Sequence, residues 1–582
     1  MYKIWRSPYS EFGKFTLVPN DLHDETVTAS QVYTDEVLKG IAESGFNGIW
    51  VHGLLHNLVT AEEFPEFGCN AAIHLKNMRE LIKRGAEYGI KVFIYMQPPR
   101  AIQVADEAFW KNHADVAGQE EDIQGEPGQV IRVRAICTST PKVKSYLKNA
   151  AAGLAESLPG LGGVIMITAS EYPAHCVSRR GRVLGAFGEI SYAPVECPRC
   201  VERKPEDVVN EVIALVRDGI RSVSKDIAII AWNWSWSFYV DIPCSEIIRK
   251  LPKDVILMAD FERGGFKDVL GHKQHKIDEY SIGYAGPSGQ FKASFELARD
   301  LGLSCMAKLQ FGTTHELATV PNLPVLGNLF QKADFLRKNN LAGFMGCWNF
   351  GNMITANTAG FNYFLSKDCP DDKNMALQTF AEQYFPGCRP DRVAAAWDNF
   401  ADAMNSYPIC IPYLYAGPTN YAIKMTLKPE PLDGKSAGRS WLLDERGDDV
   451  SGAIADFSLD EIIEGFKLLS EKWRAGVTLL STGLNGVSDK HAEEELANAE
   501  VCRAAFRSTY NVFRTYKLRK EWNPGKLSEY LKCAADELEN VKRVLPYIEK
   551  DKRLGYHSEA QGYMFDAVSV KAKLKALEQQ LS

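Results

Sequence analysis

The sequence predicts a (β/α)₈ barrel over residues 1–365 and a mainly α-helical region over residues 366–582. Up to about residue 352, short apolar runs alternate with helical patterns of ten or more residues, and the strand-like runs number eight or nine. After about residue 365, helical patterns dominate. Short buried strands separated by helices indicate a parallel sheet covered on both faces, and this number of strands fits a barrel.

Each strand is predicted from an apolar run, most of them preceded by a helical pattern. KFTLVP at 14–19 is the candidate for a first strand. The helical patterns at 34–46 and 77–89 lead into strands at 47–53 and 90–96. The remaining strand-like runs lie at 162–170, 227–234, 254–260, 280–285, 303–311 and 342–350. A doubly wound sheet is the second choice, and the lack of a Gly-rich phosphate loop after the first strand counts against it.

Composition and charge exclude several classes of protein. The chain has 582 residues, of which 45% are hydrophobic and 24% charged, so it is neither disordered nor fibrous. The net charge of −7, with no basic block, argues against nucleic acid as a partner. No apolar stretch approaches the roughly 20 residues of a membrane helix, so no membrane partner is expected.

The first residues carry no secretory signal. MYKIWRSPYS has no apolar core of the kind a signal peptide needs, so we expect a mature or cytoplasmic chain. Removal of a signal upstream of this start stays open. Large helical regions often support self-association, which makes a homodimer an open expectation.

Polar and aromatic residues follow the predicted strands. In a (β/α)₈ barrel the loops after the strands build the active site, so these residues are the candidates for substrate binding. Carboxylates and aromatic rings dominate, as is typical of carbohydrate sites, where rings stack on sugar faces and carboxylates bind hydroxyls. The candidate substrate-binding residues are His52, Arg100, Ser170, Trp232, Trp234, Asp260, His315, Trp348 and Asn349.

Two glutamates are the candidate catalytic pair. Glu171 follows the apolar strand at 162–170, where a partly desolvated carboxyl can stay protonated and act as a general acid. Glu316 follows the seventh strand, at 303–311, and could reach the same site as nucleophile, because retaining glycosidases place the two carboxyls about 5–5.5 Å apart. The alternative for Glu171 is a helix-capping or surface role. The alternative for Glu316 is that it caps the next helix or orients His315 or Arg100, and Asp260 and Glu262 are the reserves for the nucleophile.

The tryptophans and tyrosines near the strand ends have two interpretations. Trp348 suits an aromatic floor under the sugar, or a core residue that closes the barrel. In the run WNWSW at 232–236 the tryptophans alternate, so they point to one side, which is either the site or the packing face. The aromatic stretch at 407–425, with Tyr413, Tyr415 and Tyr421, could reach over the pocket.

A cysteine cluster predicts a structural zinc site. Cys176 is followed by the CxxC motif Cys197-Pro-Arg-Cys200, and a CxxC supplies two ligands of tetrahedral zinc at little entropic cost. The fourth ligand is His175, or else Cys137 or Cys69 brought close by the fold. The alternative is a loop, spanning 175–200, that holds free thiols. No organic cofactor is expected.

These residues carry two local resemblances. SEYPAHC followed by CPRC resembles the acid/base and cysteine-cluster region of family 42 glycoside hydrolases, the clan A β-galactosidases. That resemblance implies Glu171 as acid/base, a nucleophile after strand seven at Glu316, and zinc ligands at Cys176, Cys197 and Cys200. Clan A has Asn where this sequence has Ser170, which puts the handling of the sugar 2-substituent in doubt.

The second resemblance concerns ICTSTPKVKSYL at 136–147, followed by a strand that ends in an acid. It is similar to the family 20 and family 123 β-N-acetylhexosaminidases. In those enzymes the 2-acetamido group of the substrate is the nucleophile. The resemblance implies Glu171 as the acid here too, and the acetamide takes the place of Glu316 as nucleophile. Ser170 is a poor match for the Asp of family 20.

The favoured hypothesis is a retaining exo-glycoside hydrolase that acts on an oligosaccharide or glycoside. Its substrate would end in a β-linked galactose-type or N-acetylhexosamine residue. The alternatives are a substrate-assisted β-N-acetylhexosaminidase, a carbohydrate-binding barrel without activity, and a metal-dependent lyase or isomerase. The last would need a His and carboxylate metal site that the sequence does not indicate convincingly.

Overall fold

The computed structural model describes residues 1–11, 22–124, 129–169, 172–184, 190–238, 240, 242–277, 279–443, 447–455 and 457–582. The chain divides into two compact units. The first unit consists of Met1–Phe261, Gly289–Lys308 and Leu341–Met345. The second consists of Glu262–Ser288, Leu309–Asn340 and Gly346–Ser582.

Eight parallel strands form a closed barrel, in which neighbours along the chain are also neighbours in the sheet. The predicted barrel is thereby confirmed, and the doubly wound alternative is wrong because β1 pairs with both β2 and the last strand, so that the sheet closes. The barrel strands are β1 (Tyr2–Trp5), β2 (Gly48–His52), β3 (Lys91–Met96), β4 (Gly163–Ile167), β5 (Ala228–Trp232), β6 (Ile256–Asp260), β7 (Cys305–Leu309) and β8 (Gly343–Gly346).

One of the predicted strands lies outside the described residues, and another is wrong. The barrel begins at Tyr2–Trp5, and the predicted first strand at 14–19 lies outside the described residues. The strand predicted at 280–285 is wrong, because this segment has no strand structure. The backbone N–H groups of Ile282 and Gly283 bind a side-chain carboxylate instead of a neighbouring strand.

Small residues and one large ring fill the amino-terminal end of the barrel interior. A Cβ atom added to Gly48 or to Gly163 would lie within 2.9 Å of the Phe93 ring. The two glycines, on β2 and β4, therefore leave the space that the ring on β3 occupies. This alternation of small and large side chains packs the barrel to the density of a protein interior.

The helices of the first unit follow the predicted patterns, and several have side-chain caps. The Thr140 side chain accepts a hydrogen bond from the Val143 N–H, and Pro141 opens the helix at its first position, where no amide donor is needed. The helices are α1 (Glu25–Val32), α2 (Asp35–Glu43), α3 (Leu55–Leu58), α4 (Ala71–Glu87), α5 (Glu107–Asn112), α6 (Pro141–Ser157), α7 (Pro205–Val223), α8 (Ser245–Ile248) and α9 (Gly289–Asp300).

The second unit is mainly helical, as predicted for the C-terminal part of the chain. Its helices are α10 (Leu326–Lys338), α11 (Ala356–Phe364), α12 (Lys373–Tyr384), α13 (Pro390–Ala403), α14 (Ile411–Ala416), α15 (Leu459–Gly483), α16 (Lys490–Lys520), α17 (Leu527–Lys550) and α18 (Ala567–Leu581). Among the described residues, none of the helices combines the length and the apolar character that crossing a membrane requires.

Helices α13, α15 and α16 share an aromatic core. The Phe400 and Trp473 rings stack with centroids 4.5 Å apart, and the Trp473 indole donates to the Ala499 carbonyl at 3.0 Å. A Cβ atom on Gly476 would lie 2.4 Å from the Phe400 ring, so only glycine allows this close approach. Burying rings of this size supplies several kcal/mol of stabilisation, about 25 cal/mol for each Å² of apolar surface.

Short antiparallel strands lie outside the barrel. They are a three-stranded sheet (Ile102–Gln103, Ala117–Gln124 and Val130–Ile136) and the pairs Gly181–Leu184 with Ile190–Ala193, Phe266–Val269 with His272–Lys276, and Tyr556–His557 with Gly562–Tyr563. The three-stranded sheet follows β3, and its last strand leads into Cys137.

Candidate active site and cysteine cluster

Polar side chains lie at the carboxyl ends of the barrel strands, where active sites of this fold are built. In the first unit, one follows or ends each of the strands β1 to β6. These residues are Arg6, His52, Gln97, Thr168, Trp232 and Asp260.

The predicted general acid lies just beyond β4 in the chain. Ser170 and Glu171 are outside the described residues, so the roles of both stay predictions. The residues that follow are described. Tyr172 donates its hydroxyl to the Ala101 carbonyl at 3.0 Å, and the Ala101 N–H donates to the Pro173 carbonyl at 2.9 Å. The segment after Glu171 is therefore fastened to the loop after β3.

A buried ion pair that the sequence analysis missed lies at the ends of β1 and β2. Arg6 and Glu25 are fully buried and joined through Arg6 Nη1 and Glu25 Oε1. Glu25 Oε2 also accepts the backbone N–H of His52 at 2.8 Å. Burial, with the positive charges of Arg100 and Arg6, holds the pKa of His52 well below its ordinary value, so this imidazole is neutral.

Arg100 is buried beside the loop after β3. Its Nη1 atom donates to Gln97 Oε1 at 2.5 Å, and its guanidinium carbon lies 3.7 Å from the centre of the Tyr172 ring. Nothing in the sequence around Arg100 indicated that this arginine would be removed from solvent. Its contacts with Tyr172 place it beside the segment that carries the predicted acid.

Asp260 ends β6 and is oriented by a tryptophan. The Trp232 indole, at the end of β5, donates to Asp260 Oδ1 at 2.8 Å, and both side chains are buried. The alternation predicted for residues 232–236 is wrong, because β5 stops at Trp232 and Ser235 adopts a positive φ of 63°. Trp234 is half-buried, and Trp236 instead donates to Thr168 Oγ1 at 3.0 Å.

Glu316, in the second unit, accepts hydrogen bonds at both carboxylate oxygens. Oε1 accepts from the Ser281 hydroxyl at 2.7 Å and from the Gly283 N–H at 3.0 Å. Oε2 accepts from the Ile282 N–H at 2.8 Å and from the Thr314 hydroxyl at 2.7 Å. The side chain is 1% exposed. These contacts give Glu316 an anchoring role for the loop at 281–283, which the sequence did not indicate, and its role as nucleophile stays a prediction.

Glu262, the other reserve carboxylate, is part of a buried ion pair. Its Oε1 atom binds Lys332 Nζ at 2.5 Å and accepts the Gln310 N–H at 2.9 Å. Lys332 also donates to the Ser281 and Gln310 carbonyls. This pair therefore fastens the residues after β7 to helix α10.

An aromatic cluster surrounds His315. The His315 ring lies 4.5 Å from that of Tyr280, 5.5 Å from that of Tyr415 and 6.2 Å from that of Trp441, to which it is nearly parallel. Tyr415 belongs to the aromatic stretch that the sequence singled out, whereas Trp441 was missed because it stands alone in a charged loop.

Some of the other aromatic and polar residues predicted for the site are partly exposed, and others lie in the core. Trp348 and Asn349, after β8, are half-buried, and Trp348 packs on Phe350 and Tyr280. Tyr413 and Tyr421 are buried, and Tyr413 packs against Tyr407 and Phe466 in the helical core. Of the three tyrosines, only Tyr415 therefore retains partial exposure.

Four cysteine sulfurs come together in the first unit. The Sγ atoms of Cys137, Cys176, Cys197 and Cys200 all lie within 4.8 Å of one another. Cys137 Sγ is 3.7 Å from that of Cys197 and 3.6 Å from that of Cys200. A Cβ atom on Gly118 would lie 2.5 Å from Cys176 Sγ, so a glycine is needed beside the cluster.

The fourth member of the cluster is Cys137, and the prediction of His175 is wrong. His175 Nε2 contacts the Thr168 carbonyl, and its backbone N–H donates to the Ser178 hydroxyl at 3.1 Å. This histidine thus braces the end of β4. Cys69 is exposed, and its thiol donates to the Glu66 carbonyl at 3.3 Å.

The donor set fits a tetrahedral metal ion. Zinc–thiolate bonds of about 2.3 Å imply sulfur separations of about 3.8 Å, close to the distances from Cys137. Hydrogen bonds with Cys176 lower the pKa of Cys137 and lower the pKa of Cys197 to about 6, whereas hydrogen bonds with Cys137 raise the pKa of Cys176 and of Cys200. Two of the four sulfurs thus favour the thiolate form that metals bind, and the other two would lose their protons to a bound cation. Arg199 Nε also donates to Cys137 Sγ at 3.4 Å.

Comparisons with known proteins give a likeness in structure and none in sequence. The chain matches no protein-family model and no curated protein sequence. Among solved structures it is similar to a GH138 enzyme that targets the pectin rhamnogalacturonan II, with a TM-score of 0.54 at 10% identity. That alignment covers 97% of this chain and 63% of the other, so this chain spans less than two thirds of the enzyme it resembles.

Two further structural likenesses are weaker. A GH20 chitobiase of Flavobacterium johnsoniae aligns with a TM-score of 0.35 at 9% identity, covering 100% of this chain and 78% of that one. A Bacteroidetes-affiliated GH5 cellulase aligns with a TM-score of 0.39 at 12% identity, covering 65% and 95%. At its identity, the GH138 likeness shows the fold, a barrel followed by helices, and the family 42 resemblance stays a prediction.

Proposed function

We propose that this chain is a glycoside hydrolase whose active site lies at the carboxyl ends of the barrel strands. The observation that carries the proposal is the pair of Asp260 and Trp232, a carboxylate held by an indole at the ends of neighbouring strands. Carboxylates and aromatic rings are the side chains with which proteins bind and cleave glycosides. The likeness in fold to a GH138 enzyme supports the same class of reaction.

Glu171 acts as the general acid and then as the general base. In the chain it comes four residues after β4 and immediately before Tyr172, whose hydroxyl donates to the Ala101 carbonyl in the loop after β3. The general acid of a glycosidase must keep its proton near neutral pH and pass it to the leaving oxygen. In the second step of a retaining mechanism the same group activates water.

Asp260 is the carboxylate that works with Glu171 in this proposal, as nucleophile at the anomeric carbon. The resemblance to clan A assigns that role to Glu316, but a nucleophile needs an oxygen lone pair free to face the substrate. Both oxygens of Glu316 already accept two hydrogen bonds from protein donors. We therefore assign the nucleophile to Asp260, which ends β6 in the same unit of the chain as Glu171, and Glu316 anchors the loop at 281–283.

The occupied carboxylate of Glu316 also favours a second candidate, the substrate-assisted mechanism. There the acetamide oxygen of a terminal N-acetylhexosamine attacks the anomeric carbon, and Asp260 orients the acetamide. The terminal residue is β-linked in both cases, of galactose type in the first and of N-acetylhexosamine type in the second.

A structural zinc ion held by Cys137, Cys176, Cys197 and Cys200 completes the proposal. Four thiolates leave no open position on a tetrahedral ion, so the metal would fasten the chain and take no part in hydrolysis. The residues it joins come from the strand end before α6 and from the loop after β4. The site would thus brace the segment that follows Glu171.

The experiment is a panel of aryl β-glycosides tested with the wild type and with Glu171→Gln, Asp260→Asn and Glu316→Gln. Hydrolysis of at least one glycoside that both Glu171→Gln and Asp260→Asn abolish supports the proposal. Activity on acetamido sugars alone, with Asp260→Asn impaired, identifies the substrate-assisted mechanism. Sugar binding without hydrolysis of any glycoside would identify a carbohydrate-binding barrel and overturn the proposal.

A further inference from the structure

Three helices of the second unit, α15, α16 and α17, line a cavity of about 340 Å³ with charged and polar side chains. Arginine is the commonest residue in its wall, and each helix contributes at least one: Arg474 from α15, Arg503 and Arg507 from α16, and Arg543 from α17. Side chains four residues apart lie on one face of a helix, which explains why Arg503 and Arg507 reach the same space. A cavity of this size holds a small molecule or ion.

Arg503 is the most buried of the four arginines, with 7% of its surface exposed. Its Nε atom donates to Glu500 Oε2 at 2.9 Å, and its Nη1 atom donates to Asn540 Oδ1 at 2.9 Å. Its Nη2 atom is buried and has no hydrogen-bond partner among the residues that the structure describes. A buried donor without an acceptor is destabilising, so an acceptor bound in the cavity would stabilise the folded chain.

The other three arginines also keep N–H groups that no described residue accepts. Arg507 binds Asp536 through Nε and Nη2, at 2.7 and 2.8 Å, which leaves its Nη1 atom. Arg543 binds Glu500 through the same two atoms, which again leaves Nη1. Arg474 is exposed and forms neither a hydrogen bond nor an ion pair with the described part of the chain. All four guanidinium groups therefore retain donors beside one cavity.

Four carboxylates accompany these arginines, and they differ in position. Glu500 and Asp536 contact Arg503, Arg507 and Arg543 directly. Glu471 and Glu539 also line the cavity, but both are exposed and neither forms an ion pair within the described residues, although Glu471 acts electrostatically on Arg507. Water screens exposed charges more strongly than buried ones, so the positive charge is greatest in the inner part of the cavity.

An ion-pair network that only joined the three helices would use the guanidinium groups differently. Such a network would pair each arginine with a carboxylate, whereas Arg474 has none and Nη2 of Arg503 is left without an acceptor. Ion pairs at a protein surface also contribute little to stability. The unused donors of the arginines therefore point to a ligand that supplies acceptors.

We infer that this cavity binds a doubly charged oxyanion, the sulfate or phosphate group of a small molecule. A planar guanidinium donates two parallel hydrogen bonds to the oxygens of such a group. A tetrahedral oxyanion presents oxygens in several directions and can meet donors from three helices, whereas a carboxylate presents two oxygens in one plane. This site is independent of the proposed glycoside hydrolysis.

Calorimetric titration of the full chain with sodium sulfate and with sodium phosphate tests the inference, with sodium chloride holding the ionic strength constant. We expect saturable binding of at least one of these anions with a Kd below about 1 mM, and about tenfold weaker binding of nitrate, a planar anion with one charge. Sulfate and phosphate that both fail to bind, or that bind no better than nitrate, overturn the inference.

Arg474→Gln is the main variant, because Arg474 is exposed and holds no described residue in place. It should fold like the wild type and weaken binding of the anion about fivefold or more. Arg392→Gln is the matched control, since Arg392 is an exposed arginine of the same unit that pairs with Asp391 and lies outside the cavity wall. Equal affinities of the two variants would contradict the site.

Glu539→Gln tests the sign of the charge effect. It removes a negative charge from the wall of the cavity, so the anion should bind about threefold more tightly than to the wild type. An affinity that does not rise would show that the anion lies elsewhere on the chain.

Sugar esters identify the source of the oxyanion. D-galactose 6-sulfate and D-galactose 6-phosphate are titrated beside the inorganic ions. Tighter binding of an ester identifies a sulfated or phosphorylated sugar as the ligand, and equal binding identifies the free ion; either result supports the inference. Hydrolysis of glycosides without binding of any oxyanion overturns the inference and leaves the proposed function intact, and oxyanion binding without hydrolysis does the reverse.

Discussion

The Trp232 indole donates a hydrogen bond of 2.8 Å to Asp260 Oδ1, and the two residues end neighbouring strands of the barrel. The donor stabilises the ionised carboxylate and fixes its direction, which a nucleophile requires. Because Asn can accept the same hydrogen bond, Asp260→Asn removes the negative charge with little change in packing.

We predict that Asp260→Asn lowers kcat by about a thousandfold or more, as loss of a nucleophile does, with an unchanged thermal midpoint. Azide should restore turnover to Asp260→Ala, because a small anion can replace the missing carboxylate. Steady-state kinetics on the best aryl glycoside measures both effects. Full activity of Asp260→Asn, with Glu316→Gln inactive but stably folded, would return the nucleophile to Glu316.

Trp232→Phe is the companion variant for this site. It keeps the carboxylate but removes the N–H donor that orients it, so kcat should fall by about tenfold or more while KM changes little. Steady-state kinetics on the same aryl glycoside measures both constants. An unchanged kcat would show that this hydrogen bond does not position Asp260 for the reaction.

Glu316→Gln should act mainly on stability. The carboxylate accepts the N–H groups of Ile282 and Gly283, and an amide must turn an NH₂ group toward one pair of donors. Loss of these charge-assisted hydrogen bonds should cost about 2–4 kcal/mol, measured by urea unfolding. Glu521→Gln is the control, since that side chain is 85% exposed. Equal stability of the two variants would contradict the anchoring role.

Most of the barrel could be predicted from the sequence, because each strand from β2 to β8 is an apolar run beside a helical pattern. The strand β1 was missed, since Tyr2–Trp5 is short and no helix precedes it. The segment at 280–285 was misread as a strand because its composition is apolar. Its backbone N–H groups donate to Glu316 instead. A local sequence pattern cannot predict a hydrogen bond to a carboxylate that lies more than 30 residues away in the chain.

The candidate site was predictable in part, for a similar reason. Position after a strand identifies Asp260 and Arg100 as rim residues, but the pairing of Arg6 with Glu25 depends on contacts that only folding creates. Adjacency in the sequence made His175 the favoured metal ligand. Cys137 comes earlier in the chain and was only an alternative. It directly follows Val130–Ile136, the last strand of the three-stranded sheet, which places it in the cluster.

The cysteine cluster predicts about one zinc ion per chain in freshly purified protein. Four thiolates at these distances form a closed tetrahedral site, so Cys137→Ser should lose the metal together with several degrees of thermal midpoint. His175→Ala and Cys69→Ser should keep it. Mass spectrometry of the metal content measures the ratio. Less than one zinc per two chains in the wild type would refute the site.

Glu495 predicts a loss of stability as the pH rises toward neutrality. This buried carboxyl accepts the Trp397 indole N–H at 2.8 Å, and burial raises its pKa to about 7. An unfolded glutamate has a pKa of about 4.3, so between these values the folded chain holds a proton that the unfolded chain releases. The stabilisation is therefore present below about pH 4.3 and lost as the pH rises through about 7, by about 4 kcal/mol.

The measurement is urea unfolding of the wild type and of Glu495→Gln at pH 5 and pH 8. Glutamine keeps an acceptor for Trp397 but has no proton to lose, so the variant should lack this part of the pH dependence. The variant should therefore gain stability relative to the wild type at pH 8, where the buried carboxylate must carry its charge. If the two proteins lose stability in parallel between pH 5 and pH 8, Glu495 ionises in the folded protein as it does in water.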